Sequence, residues 1–346
     1  PETFTQASAT VTYNTPILIK PSDYYLCISR FTVDNQTVPL IIPPLETGQT
    51  NPNLLAYKVM MSWYDGTSFT YSDPINVTYI TSNKSVVVPT YDGITQNVST
   101  NYYYVYDYTT LLTMINNAYV SALSNLNGKV VTGITQAPIL YYDPALQVIT
   151  LQCPYTGYSM PLNGTPNTNS VQVWIGGLLQ PLLSTIPVIH IVNTTGVNYA
   201  FQLYNMGNNL QTINSIQYYV NPQENTQELA YWASLAYIQF QTTMPIVQEL
   251  FQGSGVGQLN TQYQAILTDF QSDIGNIFSY NTSLQYNKVD SLRMIELTSD
   301  TPLYSLDISV YWVDNAGRTY PLYLFAGQTV NIKFEFIRKE VYKGTI

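Results

Sequence analysis

The clearest alternation of hydrophobic and polar positions lies near the carboxyl end, in "SLDISVYWVDNAGRTYPLYLFAGQTVNIKFEFIRK", Ser305 to Lys339. Leu306, Ile308, Val310 and Trp312 fall on one side of an extended segment and Asp307, Ser309 and Tyr311 on the other, a period of two that predicts a half-buried strand. A polar cluster, Asp314 to Gly317, then supplies a turn, Tyr320, Leu322 and Leu324 resume the pattern, and Ala326-Gly327 turns the chain again. In the last run Val330, Ile332, Phe334 and Phe336 share one face against Asn331, Lys333 and Glu335. The final strand has no later one to pair with, so its partner must come from earlier sequence. "YYLCISRFTV", from Tyr24, is the natural candidate: Tyr25, Cys27, Ser29 and Phe31 alternate with Leu26, Ile28 and Val33, as in a strand buried on both faces.

Elsewhere the chain reads as short extended segments cut by turn residues. Tyr64-Asp65-Gly66-Thr67 predicts a hairpin, and Asp143-Pro144 turns "PILYYDPALQVITLQCP" into another. The one persuasive helix covers about 107–126: Asp107 can cap it, Leu111, Leu112, Ile115, Tyr119, Ala122 and Leu126 recur at helical spacing, and Asn127-Gly128 stops it. It is expected to pack on a sheet, and the preceding "NYYYVYDY" reads as a Tyr-rich strand or strand entry. Gly, Pro, Asn and Thr rise from Tyr155 to about Gly177, which predicts a long surface loop. "VQVWIGGLLQPLLS" and "IPVIHIV" have no settled state. "SIQYYV" and "LAYIQFQTTMPIV" look like strands flanking a short helical turn in "NPQENTQELAYWA", Gly253 to Gly257 form a flexible loop, and "SLQYNKVDSLRMIEL" returns to extended structure. The fold expected is mainly β: an antiparallel jelly-roll β-sandwich with one packed helix and long loop insertions. Residues 1–346 form a single elaborated roll built from both chain ends, with about 155–257 as an insertion or outward-facing loop region.

Composition adds a constraint on the surface. Charged residues are 10% of the chain, against about 25% in ordinary globular proteins, so Asn, Thr, Ser, Gln and 32 tyrosines carry the polarity. Lys and Glu are depleted and Tyr enriched where proteins meet, so this is a surface suited to close neighbours. A net charge of −9 with 12 Lys plus Arg excludes a dedicated nucleic-acid binder. The one basic cluster, Lys333, Arg338, Lys339 and Lys343, reads as a solvated strand edge. No apolar run reaches the roughly 20 residues of a membrane span, and the amino end lacks the layout of a signal peptide. A soluble protein made in the cytoplasm is expected. Sequons at Asn35, Asn76, Asn83, Asn97, Asn163, Asn193 and Asn281 are what an Asn- and Thr-rich chain generates by chance.

The inventory of reactive groups is thin. His190 is the sole histidine, in an apolar run without a G-x-S-x-G elbow, and Cys27 and Cys153 have no neighbour at ligand spacing, so both cysteines read as small buried hydrophobes. Carboxylate pairs for glycoside hydrolysis, such as Asp269 with Asp273 or Glu296 with Asp307, have nothing in the sequence to converge them, and Asp269 in "ILTDFQSD" is better placed as a turn or helix-cap residue. The Gly253–Gly257 loop lacks the Lys and Ser or Thr of a phosphate loop. No catalytic, cofactor-binding or metal-binding residue is assigned, and no cofactor is expected.

The segment "QAILTDFQSD", followed by "SLQYNKVDSLRMIELTSDTPLYSLDISVYWVDNAGRTYPLYLFAGQTVNIKFEFIRK", resembles the carboxyl-terminal half of the penton, or minor capsid, proteins of the virophage and Polinton-like virus group. The shared run is an "ILTDF" element, an extended "QY" segment, an R-x-I-x-L strand before "SDTPL", an aromatic strand, a G-x-x-x-P-L-Y-L hairpin and a last strand ending in basic residues. "ISRFTVDNQTVPLII" and "YYYVYDYTTLLTMINNAY" add weaker echoes. The resemblance covers roughly Gln264 to Lys339 well and the earlier sequence patchily. It implies a structural virion protein without catalytic residues. Such a subunit forms homopentamers at icosahedral vertices, surrounded by trimers of a double-jelly-roll major capsid protein, with a vertex fibre or host receptor as a further contact. Two other readings stay open: a double-jelly-roll major capsid protein forming trimers, and a carbohydrate-binding or glycoside-hydrolysing sandwich using exposed aromatics such as Trp174 or Trp232. Arg30, Arg293 and Arg318 are candidates to bridge subunits or to make ordinary surface pairs.

Overall fold

The fold is given by a computed structural model, which describes residues 4–34, 37–82, 84–158, 166–190, 199–201, 203, 209–225, 235–246, 265–271, 283–287, 294–314 and 317–343. The chain begins with β1 (Phe4–Gln6), β2 (Ser8–Thr12) and β3 (Tyr24–Asp34). β4 (Leu54–Tyr64), β5 (Phe69–Tyr71) and β6 (Ile75–Thr78) precede the helix α1 (Tyr108–Lys129). There follow β7 (Ile139–Asp143), β8 (Val148–Pro154), β9 (Ser170–Ile175), β10 (Val188–His190), β11 (Tyr199–Phe201), β12 (Leu210–Ile213) and β13 (Ile216–Pro222). The last part holds β14 (Leu235–Gln241), β15 (Ile266–Gln271), β16 (Ser283–Asn287), β17 (Ile295–Glu296), β18 (Ser305–Asp314), β19 (Thr319–Pro321), β20 (Tyr323–Phe325) and β21 (Val330–Arg338), then a short helix α2 (Lys339–Lys343). All strand pairs within the described sheets are antiparallel.

The expected pairing of chain ends is present: β21 runs against β3 from Val330 opposite Val33 to Arg338 opposite Tyr24. One residue, Ser29, is extra on the β3 side, because Lys333 faces Arg30 while Phe334 faces Ile28. That bulge resets the alternation, so Leu26 and Ile28 before it and Phe31 and Val33 after it all point into the same core. β18 meets them from the opposing sheet with Ile308, Val310 and Trp312, and Phe31 packs edge-on to Phe240 of β14 at 4.9 Å between ring centroids.

Buried apolar residues form two clusters. Residues from Leu40 to Tyr219 build the first core, between the sheet β10-β11-β9-β4-β5, which β6 joins on β4, and the sheet β12-β13-β8-β7, with α1 packed alongside. Residues up to Val38, Tyr104 and the last part of the chain build the second core, between the sheet β15-β14-β18-β19, which β2 joins on β18, and the sheet in which β3 is flanked by β16, β17 and β21. Each fully buried Leu, Ile, Val or Phe here contributes about 1.5–3 kcal/mol relative to leaving it in water.

The helix starts where the sequence indicates. Asp107 is the N-cap, accepting the Thr110 N–H at 2.7 Å, and Leu111, Leu112, Ile115, Tyr119, Ala122 and Leu126 are all buried. It runs one turn past the expected stop, because Lys129 holds the end down by donating to the Tyr71 carbonyl at 3.0 Å and pairing with Asp73 at 2.8 Å. Replacing Asp107 by Ala removes the partner of a buried-end N–H. It is expected to lower stability by about 1 kcal/mol, read as a shift of the urea midpoint without change of slope.

The surface loop expected from Tyr155 to Gly177 ends earlier than its composition suggests. Ser170 to Ile175 is β9, wholly buried between β4 and β11. Its polar side chains disguise it: Gln172 accepts from Ser62 at 2.8 Å and donates to the Ser170 carbonyl at 3.0 Å, and the Trp174 indole donates to Ser62 at 2.8 Å. A closed set of hydrogen bonds makes burial of these groups tolerable. The helical turn expected in "NPQENTQELAYWA" falls largely outside the described residues, and the Gly253–Gly257 loop lies entirely outside them.

Candidate functional site

The described residues with catalytic potential are dispersed along the chain, and Glu296 and Asp307 are engaged in contacts of their own. Among the described residues no group of three or more His, Cys, Asp or Glu is placed to hold a metal ion. His190 ends β10, opposite Tyr199 of β11. Asp269 is not at a turn or cap: it sits in mid-strand on β15, exposed, opposite Gln239 of β14. Asp273 lies outside the described residues. Glu296 pairs with Lys339 at 3.4 Å, while Asp307 accepts the Thr243 N–H at 2.7 Å and its hydroxyl at 2.8 Å. Cys27 and Cys153 are buried thiols not joined in a disulfide, and burial pushes the Cys153 thiol far up. Trp174 is not an exposed sugar platform but a core residue, 1% exposed, while Trp232 lies outside the described residues. Arg318 closes on Asp314 of its own chain at 2.6 Å, Arg30 is exposed, and Arg293 lies outside the described residues.

Two other features stand out. The first is the seam between the cores, formed by "NYYYVY", Asn101 to Tyr106. Val105 bonds to Leu40 and Ile41 through its backbone at 2.7 and 3.1 Å, which fixes the residues after the turn Asn101–Tyr103 as a strand-like crossing. Tyr102 and Tyr103 turn into the first core and donate to Asn53 at 2.7 Å and to the Pro52 carbonyl at 2.8 Å. Tyr104 turns the other way, into the second core, edge-on to Trp312 at 5.8 Å and to Tyr323 at 6.0 Å, and donates to the Pro321 carbonyl at 3.3 Å. One short segment thus pins both cores: a 3-10 turn, Asn101–Tyr103, sends two rings into the first and the extended residue after it sends Tyr104 into the second. Burial pushes the Tyr103 phenol up to about 12 and that of Tyr104 well above its ordinary value.

The second feature is the amino-terminal arm. β1 pairs with β20, Phe4 opposite Phe325, and the Phe4 ring lies 4.6 Å from that of Phe325 and 6.0 Å from that of Tyr106. Ala7, buried, donates to the Leu322 carbonyl and accepts from the Val310 N–H, both at 2.8 Å. β2 then lies along β18 with all five residues exposed, Ser8 opposite Ser309 and Thr12 opposite Ser305. Among the described residues β2 is an edge strand, and from Ser8 to Thr12 it carries no charge and no proline, the devices that ordinarily keep an edge from pairing with another chain. Sequence reasoning took this stretch only as extended; the signal it offered was the lack of any charge or proline from Phe4 to Asn14.

The architecture is that of an antiparallel jelly-roll β-sandwich protein. The family model of the Sputnik minor capsid protein V18/19 matches residues 3–338, and the chain belongs to that family. Structural protein V19 of Sputnik virophage is 27% identical over 214 residues, 59% of this chain and 95% of V19, and the uncharacterized protein V18 of the same virophage is 37% identical over 120 residues, 33% of this chain and 70% of V18. A chain of the Sputnik virophage structure determined by cryo-EM matches with a TM-score of 0.75 and 25% identity over 98% of this chain and 94% of that one. The mavirus penton protein matches with a TM-score of 0.59 and 15% identity over 96% and 91%, a likeness of fold. The protein is a minor capsid structural protein of the virophage type, a virion component and not an enzyme. No helix among the described residues is long and apolar enough to cross a membrane.

Proposed function

We propose that the protein is the penton subunit: it forms homopentamers at icosahedral vertices and contacts surrounding trimers of a double-jelly-roll major capsid protein. The observation that carries this is the likeness to the mavirus penton protein, which extends over both cores and not over one roll alone. A surface with 10% charged residues and an uncharged open edge supports it, since a ring of identical subunits is settled by packing and hydrogen bonds. The roll closed by the chain ends is then the unit seated in the shell. The sandwich of the first core, which takes in much of the 155–257 stretch, is the outward-facing, host-contacting insertion. Synthesis in the host cytoplasm fits two cysteines that form no disulfide.

Light scattering of the native protein tests the reading. A mass five times the 39.0 kDa chain is expected, alone or after mixing with major capsid protein. A trimer would favour a major capsid role, and a chain that stays monomeric in the presence of major capsid protein would overturn the proposal.

A further inference from the structure

We propose that in the assembled pentamer the amino-terminal arm, Phe4 to Tyr13, is exchanged between neighbours, each copy's arm filling the groove along β18 and β20 of the next. The inference rests on the pentamer reading and adds to it the segment that ties the ring together.

The arm is built as a separable part. Of its residues only Ala7 is buried, Phe4 is partly so, and everything from Ser8 to Tyr13 is exposed. The groove, by contrast, needs an occupant. Without the arm, the Val310 N–H and the Leu322 carbonyl lose their partners, and Ile308 and Leu322, now 7% and 0% exposed, lose the cover of Ala7 and its neighbours. The segment that satisfies it must be an uncharged strand presenting an aromatic at Phe325 and a small residue over Leu322. A second copy of the same arm meets that description in every position.

A hinge is present as well. The last arm contact is the Tyr13 N–H to the Tyr304 carbonyl at 2.8 Å, and the chain is fixed again where the Ile17 N–H meets the Leu303 carbonyl at 2.7 Å and Leu18 bridges to Leu303. Between them Asn14-Thr15-Pro16 makes a bend. Proline holds its own φ and pushes the preceding residue toward extended backbone, so straightening this bend is favoured locally. Three extended residues reach roughly 10 Å, so the arm can swing out of its own groove while Ile17 and Leu18 stay fixed. Exchange keeps every arm contact and changes only which copy supplies it, so it needs no new surface. In a ring the neighbour's groove is held at high local concentration.

The test is a disulfide trap. The bonds of Tyr13 to Tyr304 and of Val310 to Ala7 put Ser8–Ser309 and Thr12–Ser305 at the close, non-hydrogen-bonded positions of the pair, where a disulfide fits. The variants S8C/S309C and T12C/S305C are assembled, their mass confirmed by light scattering, oxidised, and run denatured without reductant. Cys27 and Cys153 are buried and serve as silent background. Exchange predicts a ladder of covalent multimers up to the pentamer. A pentamer that yields single chains with an internal disulfide overturns the exchange and leaves the pentamer standing. A variant that folds but, like the unaltered protein, never reaches five copies overturns the pentamer reading and the exchange with it. Two pairs at opposite ends of β2 keep the result independent of one unlucky substitution.

Discussion

Raising the pH above about 10 is expected to unfold the protein in one steep step. Tyr57, Tyr79, Tyr104, Tyr119 and Tyr158 are each less than 5% exposed, and burial raises the pKa of every one of them above the ordinary value of 10.0. The folded chain holds these phenols neutral while the unfolded chain ionises them near 10, so above that pH the unfolded state binds fewer protons and stability falls as pH rises. Their contribution is complete below pH 10. Each costs about 1.4 kcal/mol per pH unit beyond it, and five together roughly 7 kcal/mol per unit, comparable with the whole stability of a typical protein. Tyrosinate absorbance and circular dichroism should therefore change together over a narrow range. Tyr158→Phe, which gives up one bond to the Gln136 carbonyl at 2.8 Å, should make the dependence shallower by one proton. Ionisation of all 32 tyrosines with an unchanged dichroism spectrum would contradict the burial of these side chains.

Replacing Tyr104 by Ala is expected to lower stability by about 4 kcal/mol and to uncouple the two cores. The side chain is 1% exposed and fills a space walled by Trp312, Tyr320 and Tyr323, a region already tight enough that Trp312 and Tyr320 stack at 4.2 Å. Its backbone belongs to a segment bonded to Leu40 and Ile41 beside the first core, so the ring is a peg from one core into the other. Hydrogen exchange read by mass spectrometry should show protection falling across β18, β19 and β20 while α1 and β4 keep theirs. Tyr104→Phe loses only the hydroxyl's bond to Pro321 and should cost about 1 kcal/mol, with the cores still coupled. Equal loss of protection in both cores of the alanine variant would show that the ring is merely core filling.

What the sequence discloses here follows from where the apolar signal is one-sided. β18 and β21 alternate cleanly, and α1 has both a stripe and a cap, so their positions and the closure of β21 on β3 are legible from residues alone. β3 is less so: the bulge at Ser29 breaks the period, and its two inward pairs, Leu26 with Ile28 and Phe31 with Val33, look like opposite faces. β9 was hidden because Ser170 and Gln172 are buried through partners far away in the chain, Ser62 among them, which no local pattern contains. The division of apolar residues between two cores is equally silent, since Val, Leu and Tyr build both and only the direction of Tyr104 against Tyr102 and Tyr103 separates them. The arm escaped notice for the opposite reason. An exposed edge strand held by backbone bonds has no apolar face to betray it, and the absence of charge that marks it is shared by the rest of the chain.

The closure of β3 by β21 also sets an order of events during synthesis. β3 emerges early, yet its partners β16, β17 and β21 are all made near the end, after the first-core sandwich has every strand it needs. Contacts so distant along the chain form late and slowly. While they wait, β3 has no ladder on either side, and the groove for the arm does not exist until β18 and β20 have been translated. Until then the chain carries every strand of the first-core sandwich beside a second sandwich that lacks most of its strands.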